Sequence, residues 1–375
     1  MKRMMLAAVA AALVSTPVWA GVAVEGNFRI QYPGNRIGHF KALDNAVKSW
    51  MLANGIHAAQ LAVRNQGVLI VSHAYTMGAA NPLVTTAKVF RLASNSKMLV
   101  TAAYSQLVTD GKLTGNELVF PFLGVTRPLF ASQTPDPRAN AITAFELEEH
   151  TSGEHGATAG DPLFTMRDVE VQLASEPLMA WQFNRYLYGL PLENDPGTTV
   201  SYSNIGYYLL GQVIAKAAGM PYINYIQQAI LHPLGLKNWF VAATRQSGIR
   251  ANEVAPEDIA TNTGPSVFDL SATPVFEPFN YEGGNTIWEL DAAPADMMTN
   301  AESLSALIHT WNVYGLGHRA TDGGDRARDG CLPGIATWSE SLNTDVDYAL
   351  LFSNTPCLGF DSTVIQQLHT ALMPL

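Results

Sequence analysis

Hydrophobic positions recur at helical spacing in several stretches of the chain. Apolar residues at i, i+3 and i+4 form one face of an amphipathic helix. This pattern predicts helices over residues 40–51, 98–109, 205–218, 222–231, 301–311 and 363–372. Gly111 and Gly219 follow two of these segments, and glycine readily adopts the left-handed conformation in which many helices end.

Strand patterns lie towards the two ends of the chain. They predict strands over residues 58–63, 68–74, 335–339 and 348–353. A turn at Asn65-Gln66-Gly67 would join the first two into a hairpin. Residues 21–40 show no clear pattern. Residues 244–295 are rich in Pro, Gly, Asn and Thr, and such a long irregular stretch is often a functional loop.

Strands at both ends with helices between them predict an α/β fold of the α+β kind. We expect one antiparallel sheet built from both chain ends, flanked by helices, with a mainly helical subdomain inserted. The α/β part would comprise about residues 21–100 and 315–375, and the helical part about residues 101–314. Together, residues 21–375 would form the catalytic domain.

The N-terminus has the pattern of a signal peptide. Lys2 and Arg3 precede an apolar run over residues 4–14, and Val18-Trp19-Ala20 suits cleavage after Ala20. Residues 1–20 would then be removed, and the mature protein would be exported, periplasmic or secreted. A retained signal anchor is the alternative, although the run is short for a membrane span. No other stretch predicts a stable membrane span.

Composition and charge narrow the function. The 375 residues are 47% hydrophobic and 14% charged, which indicates a folded chain with a large core. The formal net charge of −10 argues against nucleic acid as a partner, because phosphate binding requires a basic face. The two cysteines fit an oxidising compartment.

Ser94 and Lys97 are the first candidates for chemistry. A strand-like approach precedes Ser94, which puts it at or near the N-terminus of the helix predicted over residues 98–109. Lys97 lies one turn further on the same face, so its amine can reach the Ser94 hydroxyl. A buried lysine with a lowered pKa can serve as the base that activates a serine. A helix-capping serine with a surface lysine is the alternative, since S-x-x-K strings are common.

A second group lies about a hundred residues later. A turn at residues 196–200 leads to Tyr202 and Asn204, where a helix begins. The Tyr202 phenol can exchange protons if a cation such as Lys97 lowers its pKa. The Asn204 amide can hold a substrate carbonyl or the lysine. The alternative is an ordinary helix start in which Asn204 caps and Tyr202 packs.

These two motifs, with a glycine-containing strand near the C-terminus, form an ordered set. Three further strings accompany them: ITAFELEEHTSG at residues 142–153, YSNIGYYLLG at residues 202–211 and PLGL at residues 233–236. The chain resembles the penicillin-recognising serine hydrolases, in particular the class C β-lactamase family and its esterase and peptidase relatives. The resemblance covers about residues 40–375.

The resemblance implies a role for each motif residue. Ser94 would be the nucleophile that becomes acylated, with its backbone N–H as one oxyanion-hole donor. Lys97 and Tyr202 would share the proton transfers, and Asn204 would contact the acyl side of the substrate. No cofactor or metal is implied. A metal site at His150, Glu154 and His155 is the alternative for that region, but a third ligand with clear spacing is missing.

The third motif departs from the family pattern, which is Lys-Thr-Gly or His-x-Gly. The family places this motif six residues before a Gly-aromatic pair, and counting back from Gly334-Ile335 gives Arg328-Asp329-Gly330. Gly330 keeps the position where backbone must approach the substrate, and Arg328 keeps a cation that can bind a carboxylate. Asp329 would repel a substrate carboxylate, which favours an ester or an amide without one. An alternative register that uses His318 remains open.

On this alignment the backbone N–H of Cys331 is the second oxyanion donor. A hairpin turning near residues 343–345 would place Cys331 opposite Cys357, because both are equidistant from Thr344. We therefore predict a Cys331–Cys357 disulfide, with two buried free thiols as the alternative.

Two other stretches bear on the substrate region. Residues 293–300 lack the Gly-Gly pair that relatives usually carry there, so specificity can differ. An aromatic cluster, Trp181, Phe183, Tyr186 and Tyr188, either lines the cleft or packs in the core, and packing is favoured.

Taken together, the sequence predicts an exported serine hydrolase that acts through an acyl-enzyme on Ser94. Its partner would be a small-molecule ester, amide or peptide substrate. A β-lactamase or D-Ala carboxypeptidase is the alternative within the enzyme class. A non-catalytic ligand- or cell-wall-binding protein on the same fold is the alternative of another class, and Arg328-Asp329 is the feature in its favour.

Overall fold

A computed structural model describes residues 20–33, 40–154, 160–256, 262–311, 326–342, 345–353 and 356–374. Residues 1–19 of the predicted signal peptide lie outside the described residues. So do His155, His318 and residues 343–344 of the predicted turn.

The strands and helices of the described residues follow one another in a mixed order. The strands are β1 (Ala20–Glu25), β2 (Phe28–Pro33), β3 (Ala58–Asn65), β4 (Val68–Met77), β5 (Phe90–Arg91), β6 (Phe240–Val241), β7 (Thr263–Pro265), β8 (Phe276–Pro278), β9 (Met297–Thr299), β10 (Arg326–Leu332), β11 (Ile335–Ser341) and β12 (Val346–Ser353). The α-helices are α1 (Lys41–Asn54), α2 (Lys97–Thr109), α3 (Val119–Leu123), α4 (Ala144–Glu148), α5 (Met166–Leu173), α6 (Ala180–Tyr188), α7 (Asn204–Ala218), α8 (Tyr222–Tyr225), α9 (Ala301–Trp311) and α10 (Thr363–Leu372).

The main sheet joins the two ends of the chain, as predicted. Among the described residues it has seven antiparallel strands in the order β1-β2-β4-β3-β12-β11-β10. The N-terminal and C-terminal strands meet where β3 pairs with β12, from Ala58 opposite Ser353 to Asn65 opposite Val346. Strand β10 ends the order, so one of its edges has no partner strand among the described residues of this sheet.

Both faces of the sheet are covered by helices. Leu61 and Leu350 belong to the apolar cluster that also contains residues of α1 and α10. Ala62 and Leu351 belong to the larger cluster, which contains residues of α2, α7 and α9. Because β3 and β12 are buried on both faces, they read as nearly continuous apolar runs.

Helix α2 is the core helix on which the candidate nucleophile depends. It packs against α7, and its residues Lys97, Met98, Leu99, Val100 and Ala102 are all buried. A helix that is buried nearly all round must have neighbours on every side. Its first residue is therefore held in place by packing as well as by its own hydrogen bonds.

Three expectations about local structure were wrong. Residues 21–40 were expected to be irregular, but β1 and β2 occupy most of that stretch. The helix expected over residues 222–231 is α-helical only in α8, and a π-helical turn continues it over Ile226–Leu231. The expected loop over residues 244–295 contains two short strands, β7 and β8.

No helix of the described residues is long and apolar enough to cross a bilayer.

Candidate active site

A tight turn carries Ser94 from β5 into α2. A 3₁₀ turn over Ala93–Ser96 runs directly into α2 at Lys97. Ala93 has a φ of 47°, a left-handed conformation that is strained for a residue with a Cβ. The turn is tied to β9, because the Met297 N–H donates to the Ser96 hydroxyl over 3.0 Å. Ser94, the candidate nucleophile, therefore lies on a strained turn that a hydrogen bond from β9 holds in place.

Ser94, Lys97 and Tyr202 lie together in the structure. The Ser94 Oγ lies 2.5 Å from the Tyr202 Oη, and the Lys97 Nζ donates to the same Oγ over 3.1 Å. Lys97 is fully buried, whereas Tyr202 is 40% exposed. The hydroxyl thus has a candidate base on each side, one buried and one at the surface.

The Lys97 ammonium has two other acceptors. Its Nζ donates to the Asn204 Oδ1 over 2.6 Å and to the Pro294 carbonyl over 2.8 Å. With Ser94, these partners match the three N–H donors of a lysine. Burial lowers the pKa of Lys97 and the Arg328 charge lowers it further, although Tyr202 and Asp161 oppose this. A lowered pKa makes the neutral amine, which is a base, more accessible.

The pKa of Tyr202 is also lowered. Desolvation of the phenol would raise it, but the charges of Lys97 and Arg328 and the hydrogen bonds to Lys97 and Ser94 outweigh that effect. The Lys97 Nζ lies 4.8 Å from the centroid of the Tyr202 ring. The Arg328 charge therefore lowers the pKa of both candidate bases, together with burial at Lys97 and with the Lys97 charge at Tyr202.

Asn204 is oriented by groups of opposite chemistry on its two sides. Its Oδ1 accepts from Lys97, which can only donate, and its Nδ2 donates to the Asp161 Oδ2 over 2.7 Å. The helix cap is Ser203, whose Oγ accepts from the Gly206 N–H over 3.0 Å. Asn204 is thus the first residue of α7, with its side chain in the site.

Strand β10 brings the third motif beside the nucleophile. The Arg328 Nε donates to the Ser94 carbonyl over 2.9 Å, and Arg328 is buried. A Cβ on Gly330 would lie 2.1 Å from the Leu92 carbonyl oxygen. Glycine is thus required here because β10 packs against the protein's own nucleophile turn, which the sequence interpretation did not foresee.

The register of β10 with β11 bears on the oxyanion prediction. Leu332 pairs with Ile335 across the two residues Pro333 and Gly334, and Cys331 pairs with Ala336. Residues that flank a two-residue hairpin loop form a hydrogen-bonded pair, and such pairs alternate with non-bonded ones. The Cys331 N–H then points to the outer edge of β10, which is the direction an oxyanion donor requires.

The Cys331–Cys357 disulfide is present in the structure, with a Cα–Cα distance of 5.3 Å. The register of β11 with β12 is the expected one, since Ile335 pairs with Ser353. The expected reason was nevertheless wrong, because the two cysteines do not lie opposite each other on paired strands. Cys331 lies on β10, and Cys357 follows the end of β12.

A family model named Beta-lactamase matches residues 41–344. The chain belongs to this family. It falls within the penicillin-recognising serine hydrolase superfamily, as the resemblance implied. The match includes Ser94, Lys97, Tyr202 and the third-motif strand.

Similar proteins agree with this placement. A protein of Salmonella typhimurium strain LT2, named as a D-alanyl-D-alanine carboxypeptidase, is 29% identical over 192 residues, which are 50% of this chain and 42% of that protein. The counterpart in Escherichia coli strain K12 is 28% identical over 186 residues, 49% of this chain and 40% of that protein. The chain thus spans about two fifths of the length of these curated relatives.

Solved structures share the fold. A D-stereospecific amidohydrolase from Streptomyces has a TM-score of 0.61 at 19% identity, covering 90% of this chain and 99% of that one. A β-lactamase/D-alanine carboxypeptidase from Yersinia pestis has a TM-score of 0.62 at 17% identity, covering 89% and 97%. These two likenesses show the β-lactamase fold.

Within this family fold, His150 has a role that the sequence interpretation missed. Its ring stacks between Tyr202 and Tyr207, with centroids 4.7 and 4.8 Å away, and its Nδ1 accepts from the Ser203 N–H over 3.1 Å. His150 therefore positions the Tyr202 segment. The HTSG string of the family resemblance was the available signal, but it does not reveal which residues His150 contacts.

Asp161 and Pro294 were also missed as site residues. Pro294 acts through its backbone carbonyl, and it belongs to the segment over residues 293–300 that was expected to border the substrate region. Of the aromatic cluster, Phe183 and Tyr188 are buried in the core, whereas Trp181 is 56% exposed. Packing therefore accounts for two of its members.

Proposed function

We propose that this β-lactamase-family chain is an exported serine hydrolase that acts through an acyl-enzyme on Ser94. Its substrate would be an ester or a small amide or peptide. The observation that carries the proposal is the position of the Ser94 hydroxyl, within hydrogen-bond distance of both Lys97 and Tyr202. Each of those groups has a lowered pKa.

In the acylation step, the Lys97–Tyr202 pair takes the Ser94 proton while Oγ attacks the substrate carbonyl carbon. The carbonyl oxygen becomes an oxyanion, and the backbone N–H groups of Ser94 and Cys331 would stabilise it. The tetrahedral intermediate then collapses, and the leaving group departs with the proton that the pair returns. The product is an ester between the acyl group and Ser94.

In the deacylation step, the same pair takes a proton from water. The hydroxide attacks the acyl carbon, and Ser94 leaves with the returned proton. Arg328 supports both steps, because its charge lowers the pKa of Tyr202 and its Nε holds the Ser94 carbonyl. Gly330 lets β10 approach closely enough for that contact.

Asp329 favours substrates without a carboxylate near the leaving group. It is exposed, and it follows Arg328 on the strand that borders the site. A β-lactam or a D-Ala-D-Ala peptide would bring a carboxylate to this region, where Asp329 would repel it. An ester or simple amide carries no such charge.

A β-lactamase or D-Ala carboxypeptidase is the second candidate. It is favoured by the carboxypeptidase names of the relatives and by the cation that Arg328 keeps at the third motif. A non-catalytic ligand- or cell-wall-binding protein is the third, and only the substituted third motif supports it.

The test compares wild-type protein with Ser94→Ala. Both are treated with a fluorophosphonate probe, and hydrolysis of p-nitrophenyl butyrate, nitrocefin and a D-Ala-D-Ala peptide is measured. Labelling and ester turnover that both disappear in Ser94→Ala support the proposal. Turnover of nitrocefin or the peptide above that of the ester would favour the second candidate, and a folded wild type that does not label would favour the third.

Export is part of the proposal and needs its own test. It is supported by the charged start, apolar run and Ala20 cleavage pattern of residues 1–20. Expressed with its own N-terminus in a Gram-negative host, the protein should be recovered from the periplasm with a mass that lacks residues 1–20. Full-length protein in the cytoplasm would contradict export.

A further inference from the structure

Asp161 places a carboxylate beside the catalytic cluster. Its Oδ1 caps the 3₁₀ turn Pro162–Phe164 by accepting from the Leu163 N–H over 3.0 Å. Its Oδ2 accepts from the Asn204 Nδ2 over 2.7 Å. Two contacts from different segments fix this side chain, which remains partly exposed.

A continuous chain of hydrogen bonds connects Asp161 with the nucleophile. Lys97 donates to the Ser94 Oγ over 3.1 Å and to the Asn204 Oδ1 over 2.6 Å. The Asn204 Nδ2 in turn donates to Asp161. Asp161 is also among the groups whose charge raises the pKa of Lys97, which reflects its proximity to that amine. Asp161 therefore belongs to the acyl side of the site, where Asn204 was expected to contact the substrate.

The Asp161 carboxylate determines which charge on the acyl part of a substrate this side of the site favours. An N-acylated substrate presents a carbonyl acceptor to Asn204, and a neighbouring carboxylate repels that partial negative charge. A protonated amine has the opposite character, since it only donates and carries a positive charge. The excess of 32 acidic over 22 basic residues in the chain acts in the same direction by attracting cations.

We propose that Asp161 selects substrates whose acyl part carries a protonated amine, such as aminoacyl esters or amides with a free amino group. This inference rests on the proposed function, because it concerns the acyl group that Ser94 would accept. Asp161 is a specificity residue in this account, and the proton transfers remain with Lys97 and Tyr202.

The test measures protection of Ser94 from fluorophosphonate labelling, so it does not require the competing ligand to be cleaved. Glycinamide, β-alaninamide and 4-aminobutyramide are each compared with the N-acetyl derivative. In the wild type, at least one free amine should halve the labelling rate at about a fivefold lower concentration than its acetylated partner. The three chain lengths locate the amine relative to the acyl carbon.

The variants separate charge from structure. Asp161→Asn keeps the size of the side chain and should abolish the preference, whereas Asp161→Glu should keep part of it. Asp136→Asn is the matched control, because Asp136 also precedes a proline and caps a 3₁₀ turn, by accepting from the Arg138 N–H over 3.0 Å. That control should retain the full preference.

The outcomes distinguish the two proposals. If wild-type Ser94 is not labelled, the proposed function fails and this inference fails with it. If Ser94 is labelled but no amine protects better than its acetylated partner, the inference alone is overturned. It is equally overturned if Asp161→Asn is labelled and keeps the wild-type preference.

Discussion

Arg328 donates from its Nε to the carbonyl oxygen of Ser94 over 2.9 Å, so the cation of the third motif is tied to the nucleophile's own backbone. Its charge also lowers the pKa of both Lys97 and Tyr202. This single side chain therefore links the geometry of the turn with the acidity of both candidate bases.

Replacing Arg328 with methionine should shift the pH dependence of ester hydrolysis. Without the cation the pKa values of Lys97 and Tyr202 both rise, so the rising limb of kcat/KM against pH moves up by about one pH unit. Arg328→Lys keeps a charge and should show a smaller shift. If the methionine variant folds and its profile coincides with that of the wild type, the electrostatic role of Arg328 is wrong.

Gly330→Ala should damage the site through the backbone. The added Cβ would lie 2.1 Å from the Leu92 carbonyl oxygen and 2.4 Å from the Thr337 Oγ1, so β10 must move away from the nucleophile turn. Loss of the Cys331 oxyanion donor predicts a fall in kcat on the order of 10²-fold for ester hydrolysis. An alanine variant with wild-type kcat would show that β10 does not supply that donor.

Much of this arrangement could be predicted from the sequence. A single sheet built from both chain ends was predicted from the strand patterns there, whereas the pairing of β3 with β12 was not. Strand β1 was missed since it lies at the edge of the sheet, where Val22 and Val24 are 46% and 73% exposed. The π-helical turn over Ile226–Leu231 was missed because the apolar spacing there fits an α-helix equally well.

The residues of the candidate site likewise include some that the sequence predicts and some that it does not. Ser94, Lys97 and Tyr202 could be found because their chemistry is carried by side chains in short motifs. Pro294 contributes a backbone carbonyl, which residue type does not encode. Asp161 reaches Asn204 across 43 residues of sequence, and no local spacing predicts such a contact.

Asp296 should make stability depend on pH. It occupies the segment where relatives carry Gly-Gly, and it is buried with no hydrogen-bond partner for either carboxylate oxygen among the described residues. Burial raises its pKa well above the usual range, Arg91 opposes this, and Asp291 adds to the rise. The native acid therefore holds its proton at a pH where the unfolded chain has lost it.

For such a group, stability is highest below the unfolded pKa of about 3.9 and falls as pH rises towards the native pKa. Asp296→Asn should remove this loss. The difference in the free energy of unfolding between the variant and the wild type should therefore increase by about 1.4 kcal/mol per pH unit between the unfolded and the native pKa. Urea unfolding at pH 5 and pH 8 measures the difference, with the exposed Asp361→Asn as the control. Equal gains at both pH values would contradict a protonated native Asp296.

The disulfide should stabilise the fold measurably. Cys331 and Cys357 close a loop with a sequence separation of 26, for which the chain-entropy effect is about 3.5 kcal/mol. Thermal unfolding should therefore occur at lower temperature in reductant. The double variant Cys331→Ser, Cys357→Ser should unfold at that lower temperature with or without reductant. A double variant as stable as the oxidised wild type would show that the bond contributes nothing to stability.

The central claim is that Ser94, Lys97 and Tyr202 act as one unit, and the rate at which a fluorophosphonate labels Ser94 tests it most directly. Lys97→Met and Tyr202→Phe should each slow labelling by about 10³-fold, and the double variant should be hardly slower than the worse single variant. Multiplied losses in the double variant, or unchanged labelling in either folded single variant, would contradict the account.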